Sequence, residues 1–223
     1  MAGKFITFEG GEGTGKSTQA ATLARRLKEL GLKVLVTREP GGSPGAEIMR
    51  HVILSGAAKP LGPEAEAMLF AAARDDHIRC TILPALDAGK WVICDRFVDS
   101  TRVYQGAMGA IDPRFMKALE RVSVGDLHPD LTLVLDVPAE LGLRRAAGRR
   151  RGGEPDRFEA EQMDFHEKLR GAYLALAASE PDRCVIVDAA VPKKKVAERI
   201  WQAVTTRLKP KAPASAALEH AIS

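Results

Sequence analysis

Cysteine is scarce in this sequence of 223 residues, and asparagine is absent. The three cysteines, Cys80, Cys94 and Cys184, are odd in number and widely separated, and each lies in an apolar run. This pattern excludes a disulfide or zinc framework and predicts three buried thiols in a reducing compartment. No run approaches about 18 apolar residues, and charge interrupts the segment from Met1 to Glu9 too early for a signal peptide. We therefore expect a cytoplasmic protein with no membrane partner.

A strong excess of one charge is also missing. The chain has 33 lysine and arginine residues against 29 aspartate and glutamate residues, a formal net charge of +4 and a pI of about 9.0. So small a surplus favours small anionic molecules over nucleic acid as partners. The length fits one domain, which we assign to residues 1–208, and the proline- and alanine-containing segment 209–223 predicts a disordered tail.

Short apolar runs, each ending in a polar or charged residue, predict five buried strands. They are Phe5 to Glu9, Val34 to Thr37, Trp91 to Asp95, Leu131 to Asp136 and Cys184 to Asp188. Segments with helical spacing lie between them, the first of which is closed by Gly31. This alternation predicts an α/β fold, a doubly wound parallel sheet flanked by helices. Because ligands bind at the carboxyl ends of such strands, Glu9, Arg38, Asp95 and Asp136 should gather at the functional edge.

The segment from Gly10 to Ser17 fits the phosphate-loop pattern G-x-x-x-x-G-K-[ST], directly after a predicted strand and before a predicted helix. Glycines allow backbone N–H groups to form an anion nest, Lys16 would reach the β- and γ-phosphates, and Ser17 would bind Mg²⁺. The residues assigned to ATP are Gly10, Gly11, Glu12, Gly13, Thr14, Gly15, Lys16 and Ser17.

The loop alone leaves three classes open: a small-molecule kinase, a GTPase switch and a motor or DNA-handling ATPase. A GTPase normally reads guanine with an Asn-Lys-x-Asp signature, and the absence of asparagine argues against that class.

Three further motifs resemble those of bacterial thymidylate kinases: Thr37-Arg-Glu-Pro-Gly-Gly42, Asp95-Arg-Phe97 and Tyr104-Gln-Gly106. The resemblance runs from about Lys4 to about Leu208 and keeps the order and spacing of the family. It implies a nucleoside monophosphate kinase with a five-stranded parallel sheet of the P-loop NTPase type, usually a homodimer. The implied reaction transfers the γ-phosphoryl group of ATP to dTMP, giving dTDP and ADP, with Mg²⁺ present.

The same resemblance implies roles for individual residues. Arg96 would clamp the acceptor phosphate, Asp95 would lie near the metal, and Glu12 would contact the sugar 3′-hydroxyl. Phe70 would stack on thymine and Arg74 would bind its exocyclic carbonyl, with Thr101 near N3 and Tyr104 at the sugar edge. The residues assigned to dTMP are Glu12, Arg38, Phe70, Arg74, Arg96, Thr101, Tyr104 and Gln105. Core packing of Phe70 and a structural ion pair of Asp95 with Arg96 remain alternatives.

A basic segment from Gly148 to Pro155 predicts a mobile loop, because glycines flank Arg149, Arg150 and Arg151. The resemblance is to the bacterial type whose basic residues lie in a lid, here about residues 146–156, and implies that these arginines stabilise the transition state together with Lys16 and Arg96. A solvated charge run is the alternative. For the whole protein, a kinase of another deoxynucleotide or nucleoside and a nucleotide-gated regulatory ATPase also remain open.

Overall fold

The computed structural model describes residues 3–149, 158 and 161–211, and these form an α/β fold around one parallel sheet. The strand order is β2-β3-β1-β4-β5, and every neighbouring pair is parallel. The strands are β1 (Phe5–Glu9), β2 (Val34–Arg38), β3 (Trp91–Asp95), β4 (Leu131–Asp136) and β5 (Cys184–Asp188). Four of the five predicted strands have the observed bounds, and β2 runs one residue further than predicted.

Helices cover the sheet on both faces. They are α1 (Lys16–Glu29), α2 (Pro44–Leu54), α3 (Pro63–His77), α4 (Leu83–Asp87), α5 (Val98–Thr101), α6 (Pro113–Val124), α7 (Ala139–Arg149), α8 (Met163–Ser179) and α9 (Lys193–Leu208). Short π-helical segments continue α3 and α5, at Ile78–Ile82 and Arg102–Ala107, and Lys59–Leu61 forms a 3₁₀ turn. In the described ranges, no helix is long and apolar enough to cross a membrane.

Alternating strand residues build the two sides of the core. Ile6 and Phe8 belong to a cluster with α1 and α9, whereas Phe5 packs in a second cluster with Val92 and Cys94. Strands buried on both faces need apolar residues at every position, which explains why they were visible as continuous runs. Helices pack on the strands through these two clusters. Because β3 pairs with both β1 and β2, the carboxyl ends of the three strands lie side by side.

Two sequence predictions were wrong. Cys80 is exposed rather than buried, because the π-helical segment turns Ile78 and Ile82 towards the core and leaves Cys80 outside; Cys94 and Cys184 are buried as predicted. Gly148 and Arg149 belong to helix α7 instead of a loop, so the helix covers the start of the predicted lid. The remainder of the lid, 150–156, and the tail from residue 212 onward lie outside the described residues.

Candidate active site

A cleft of about 340 Å³ opens at the carboxyl edge of the sheet. Strands β1, β2 and β3 deliver the phosphate loop, Arg38 and Asp95 to it. Of the predicted site residues, the cleft brings together Glu12, Gly13, Gly15, Lys16, Ser17, Arg38, Phe70, Arg74, Asp95, Arg96, Thr101, Tyr104, Gln105 and Arg149. Gly10, Gly11 and Thr14 instead line a small void of about 20 Å³ behind the loop, and Arg150 and Arg151 lie outside the described residues.

The phosphate loop requires glycine for steric reasons. Gly13 has a φ of 66°, and a Cβ atom there would lie 1.8 Å from the carbonyl oxygen of Gly142. Lys16 begins helix α1, and its Nζ donates to the carbonyl oxygens of Gly10 at 3.0 Å and Gly11 at 2.8 Å. Burial, followed by repulsion from Arg96, lowers the pKa of Lys16 to about 8. The ammonium group is thus held on the loop itself, where phosphate oxygens would be better partners than neutral carbonyls.

Ser17 and Asp95 meet between the loop and β3. The Ser17 hydroxyl donates to Asp95 Oδ2 at 2.5 Å, and both residues line the cleft. Two converging oxygens suit a hard divalent cation such as Mg²⁺, which typically takes one or two protein oxygens and completes its shell with phosphate oxygens and water. Among the described residues there is no group of three or more acidic, histidine or cysteine side chains that could hold a metal. Ser17 and Asp95 are the residues here that could hold the predicted Mg²⁺.

Arg96 lies between the phosphate loop and α5. Its Nη2 donates to Glu12 Oε1 at 2.5 Å, its Nη1 lies 3.2 Å from the Gly10 carbonyl oxygen, and its guanidinium covers the Tyr104 ring at 5.2 Å. The φ of Arg96 is 70°, in the left-handed region that non-glycine residues seldom adopt. The ion pair joins Arg96 to Glu12, not to Asp95 as the structural alternative supposed. A strained backbone at a cleft residue is typical of functional sites.

Glu12 is ionised at neutral pH. Burial by itself would raise the pKa of this carboxyl, but the charges of Arg96 and Lys16 and a hydrogen bond from Tyr104 lower it to about 2. The Tyr104 hydroxyl donates to Glu12 Oε1 at 3.1 Å. Glu12 therefore faces the cleft with Arg96 and Tyr104.

Phe70 and Arg74 both reach the cleft from α3. Phe70 is half-buried, which favours a ring face open to a ligand over the core-packing alternative. Arg74 is only 3% exposed; its Nε donates to Glu39 at 2.8 Å and its Nη2 to Thr101 Oγ1 at 2.9 Å. Among the described residues its Nη1 has no partner, so one donor remains for a ligand.

Arg38 and Gln105 hold other partners at the rim. Arg38 forms an ion pair with Glu47 at 2.9 Å while about half of its side chain stays exposed. The Gln105 amide donates to Glu66 at 3.3 Å. Arg149, the last residue of α7, is exposed and lines the cleft from the lid side.

Sequence reasoning placed Glu9 at the functional edge but did not predict the buried contacts that support this site. Glu39 accepts from Arg74 and, at 3.0 Å, contacts His77 Nδ1, whose Nε2 lies 2.7 Å from Thr37 Oγ1. Ser100 Oγ accepts from Arg96 and donates to Glu9. The one available signal was position, because Glu9 and Glu39 directly end or follow a strand at the functional edge.

The cleft has the phosphate loop at one end, arginines at its middle and an aromatic ring beside a free donor at its far end. This arrangement is that of a P-loop kinase with nucleoside monophosphate kinase architecture. Comparison with known proteins identifies the family. A family model described as Thymidylate kinase matches residues 8–200. The chain is 62% identical over 213 residues to a thymidylate kinase of Bradyrhizobium diazoefficiens, across 96% of this chain and 93% of that protein.

Two further relatives agree. A thymidylate kinase of Nitrobacter winogradskyi is 62% identical over 205 residues, which is 92% of this chain and 89% of that protein. The crystal structure of thymidylate kinase from Ehrlichia chaffeensis has a TM-score of 0.73 and 31% identity, covering 92% of this chain and 99% of the other. The chain therefore belongs to the thymidylate kinase family. It is an ATP-dependent kinase that phosphorylates dTMP to dTDP, as the sequence predicted.

Proposed function

We propose that this single cleft holds ATP on the phosphate loop and dTMP between Arg96 and Phe70, so that the two phosphates meet above Ser17 and Asp95. The observation that carries the proposal is the continuity of the cleft, since Lys16, Arg96 and Arg74 all line the same cavity. Transfer between two phosphates needs positioning and positive charge more than covalent chemistry, and these residues supply both.

At the ATP end, the N–H groups of the loop and the start of α1 bind phosphate oxygens, and Lys16 exchanges the carbonyl oxygens of Gly10 and Gly11 for them. Ser17 and Asp95 hold Mg²⁺. When bound, the ion neutralises phosphate charge and fixes the geometry of the oxygens.

At the acceptor phosphate, Arg96 provides a planar fork of donors that matches phosphate oxygens. Arg38 stands on the neighbouring strand with an exposed guanidinium, and its exposed pair with Glu47 is weak enough to be exchanged for phosphate. Glu12 and Tyr104 then face the sugar, with the ionised carboxylate accepting a hydrogen bond from its 3′-hydroxyl.

At the base, Phe70 offers a ring face and Arg74 offers Nη1 as a donor. A guanidinium has no acceptor, so a pyrimidine with a carbonyl at position 4 is bound and one with an amino group is refused. Thr101 and Gln105 line the same end of the cleft. Glu39 keeps Arg74 in place because it accepts from Nε and leaves Nη1 free.

The lid supplies the last positive charges. Arg149 reaches the cleft from α7, and we assign Arg150 and Arg151 to the same task on the basis of the sequence. The phosphate loop carries no basic residue between Gly10 and Gly15, so charge for the transition state has to come from elsewhere.

The protein is also proposed to act as a homodimer in the cytoplasm. Helix α3 packs beside α2 and α6, and each of the three leaves an apolar side chain exposed: Ile48, Met68 and Val122. Light scattering after size exclusion should give about twice the chain mass of 24.0 kDa, and a monomer would contradict the dimer.

The base pocket gives the sharpest test of the proposed function. Arg74→Ala should lower kcat/KM for dTMP by roughly 1–3 kcal/mol, the usual loss for a hydrogen bond to a charged group, and should narrow the preference for dTMP over dCMP. The matched control is Arg79→Ala, which removes an exposed arginine, paired with Asp75, from the π-helical segment that continues α3. An unchanged preference in Arg74→Ala, or an equal change in the control, would remove this pocket.

A further inference from the structure

Glu9 is a buried carboxylate to which the mechanism above gives no role. It ends β1, is 0% exposed and lines neither the cleft nor the void behind the phosphate loop. Oε1 accepts from the Phe97 N–H at 2.8 Å, and Oε2 accepts from Ser100 Oγ at 2.6 Å and Tyr173 OH at 3.2 Å. Burying a carboxylate costs folding free energy unless the group is hydrogen-bonded, and Glu9 has three donors.

All three partners of Glu9 lead to Arg96. Phe97 is the residue directly after it, and the hydrogen bond from Phe97 fixes the backbone beside the left-handed φ of Arg96. Ser100 Oγ and Tyr173 OH each lie 3.2 Å from Arg96 Nη1 and accept from it. Glu9 thus touches both the backbone and the hydroxyls that hold the guanidinium.

The direction of these hydrogen bonds follows from the chemistry of the groups. A guanidinium only donates, so the hydroxyls of Ser100 and Tyr173 must present lone pairs to Arg96 and send their single hydrogens elsewhere. When Glu9 is ionised, its Oε2 accepts both hydrogens. The two hydroxyls are also 2.9 Å apart, so without the carboxylate one would donate to the other, and the second hydroxyl would have no fixed acceptor for its hydrogen.

We propose that Glu9 is a positioning residue for phosphoryl transfer, which orients Arg96 towards the acceptor phosphate through Ser100 and Tyr173. The proposal rests on the role assigned to Arg96 under the proposed function. It separates two carboxylates: Glu12 pairs directly with Arg96 inside the cleft, whereas Glu9 acts from beneath it through hydroxyl groups.

Glu9→Gln is the first test, because it keeps the size of the side chain and changes its hydrogen bonding. In one orientation the amide nitrogen would face the Phe97 N–H, donor against donor. In the other it would donate to the two hydroxyls, whose hydrogens would then have to turn away from residue 9. We expect kcat/KM for dTMP to fall by roughly 10- to 100-fold, as for loss of charged hydrogen bonds, with KM for ATP within about twofold. Tyr173→Phe, which removes only one hydroxyl, should show a smaller loss of the same kind.

The matched control is Thr7→Val, two residues earlier on β1, which removes a buried hydrogen bond of 2.8 Å to Thr132. It should lower the Tm without raising KM for dTMP. The loss of kcat/KM caused by Glu9→Gln should be smaller in a Tyr173→Phe background, because one of the two hydroxyls between Glu9 and Arg96 is then absent.

The outcomes separate the two proposals. If Arg96→Ala leaves KM and kcat for dTMP unchanged, the proposed function fails. If Arg96→Ala is impaired but Glu9→Gln behaves like Thr7→Val, or its effect is fully additive with Tyr173→Phe, the positioning role of Glu9 is refuted. If Glu9→Gln does not fold, Tyr173→Phe decides: a dTMP-specific loss supports the role, and wild-type kinetics overturn it.

Discussion

Replacing Lys16 by methionine separates catalysis from stability more clearly than any other change in this protein. Lys16 is buried, and among the described residues the acceptors within 3.0 Å of its ammonium are the neutral carbonyl oxygens of Gly10 and Gly11. Burial lowers its pKa from an ordinary 10.5 to about 8, with repulsion from Arg96 as the next cause. Burial of the charged Lys16 therefore lowers the free energy of unfolding of the nucleotide-free protein.

The size of this cost follows from the pKa. A drop from 10.5 to about 8 corresponds to about 3 kcal/mol, at about 1.4 kcal/mol for each pKa unit. Because the unfolded chain holds this proton more tightly, the free energy of unfolding should rise as the pH rises from about 8 through about 10.5. Methionine cannot ionise, so Lys16→Met should lose that part of the pH dependence. Losing hydrogen bonds to two carbonyl oxygens offsets part of the gain, and we expect a Tm at pH 7 no lower than that of the wild type.

Turnover should respond in the opposite way. Removing one preorganised donor from developing phosphate charge typically costs about 10²–10³-fold in kcat, and Lys16→Met should lose at least that. The assay couples ADP release to an indicator reaction with ATP, Mg²⁺ and dTMP, beside thermal unfolding between pH 7 and pH 10.5. Lys28→Met, at an exposed position of the same helix, is the control. Wild-type turnover in Lys16→Met, or collapse of its fold, would refute the reasoning.

Three other predictions follow from the site. Arg150→Ala and Arg151→Ala should each lower kcat by about 10²-fold with little change in KM for dTMP; full kcat in both would make the segment a solvated surface. Asp95→Asn should raise the Mg²⁺ concentration needed for half-maximal turnover, and an unchanged titration would remove it from the metal site. Burial and then Asp99 raise the pKa of Glu9 from 4.5 to about 7, so its contribution to the free energy of unfolding should fall as pH rises through this window. Urea unfolding of Glu9→Gln should lack this slope.

The sheet was predictable because of how it is buried. β1, β3 and β4 pack on both faces, so each is a continuous apolar run that ends where its polar residue reaches the edge. The edge strand β5 is only partly buried but has the same apolar run. Strand β2 is only partly buried. Its last residue, Arg38, was not predicted as part of the strand, because a charged residue with a largely exposed side chain does not extend an apolar run. The predicted stop at Gly31 is also confirmed, since its φ is 79° and its N–H caps α1 through Lys28.

The motifs identified which residues line the cleft but could not predict how they pair. The Glu39–Arg74 and Glu12–Arg96 ion pairs join residues 35 and 84 positions apart, and only the folded sheet brings them together. Local pattern also failed at Gly148, where a glycine beside charged residues is typical of a loop, yet α7 continues through it to Arg149. A helix tolerates such a glycine at a modest cost of about 1 kcal/mol relative to alanine.

Transfer of phosphate from ATP to a thymine nucleotide in this cleft can be tested with an acceptor series and the wild-type protein. Initial rates of ADP release should be measured with dTMP, dUMP, dCMP, dGMP and no acceptor. We expect dTMP to be preferred, dUMP to lose roughly 1–3 kcal/mol in kcat/KM for its missing methyl group, and dCMP and dGMP to react far more slowly. Equal use of dCMP, or ADP release at the same rate without an acceptor, would contradict the account.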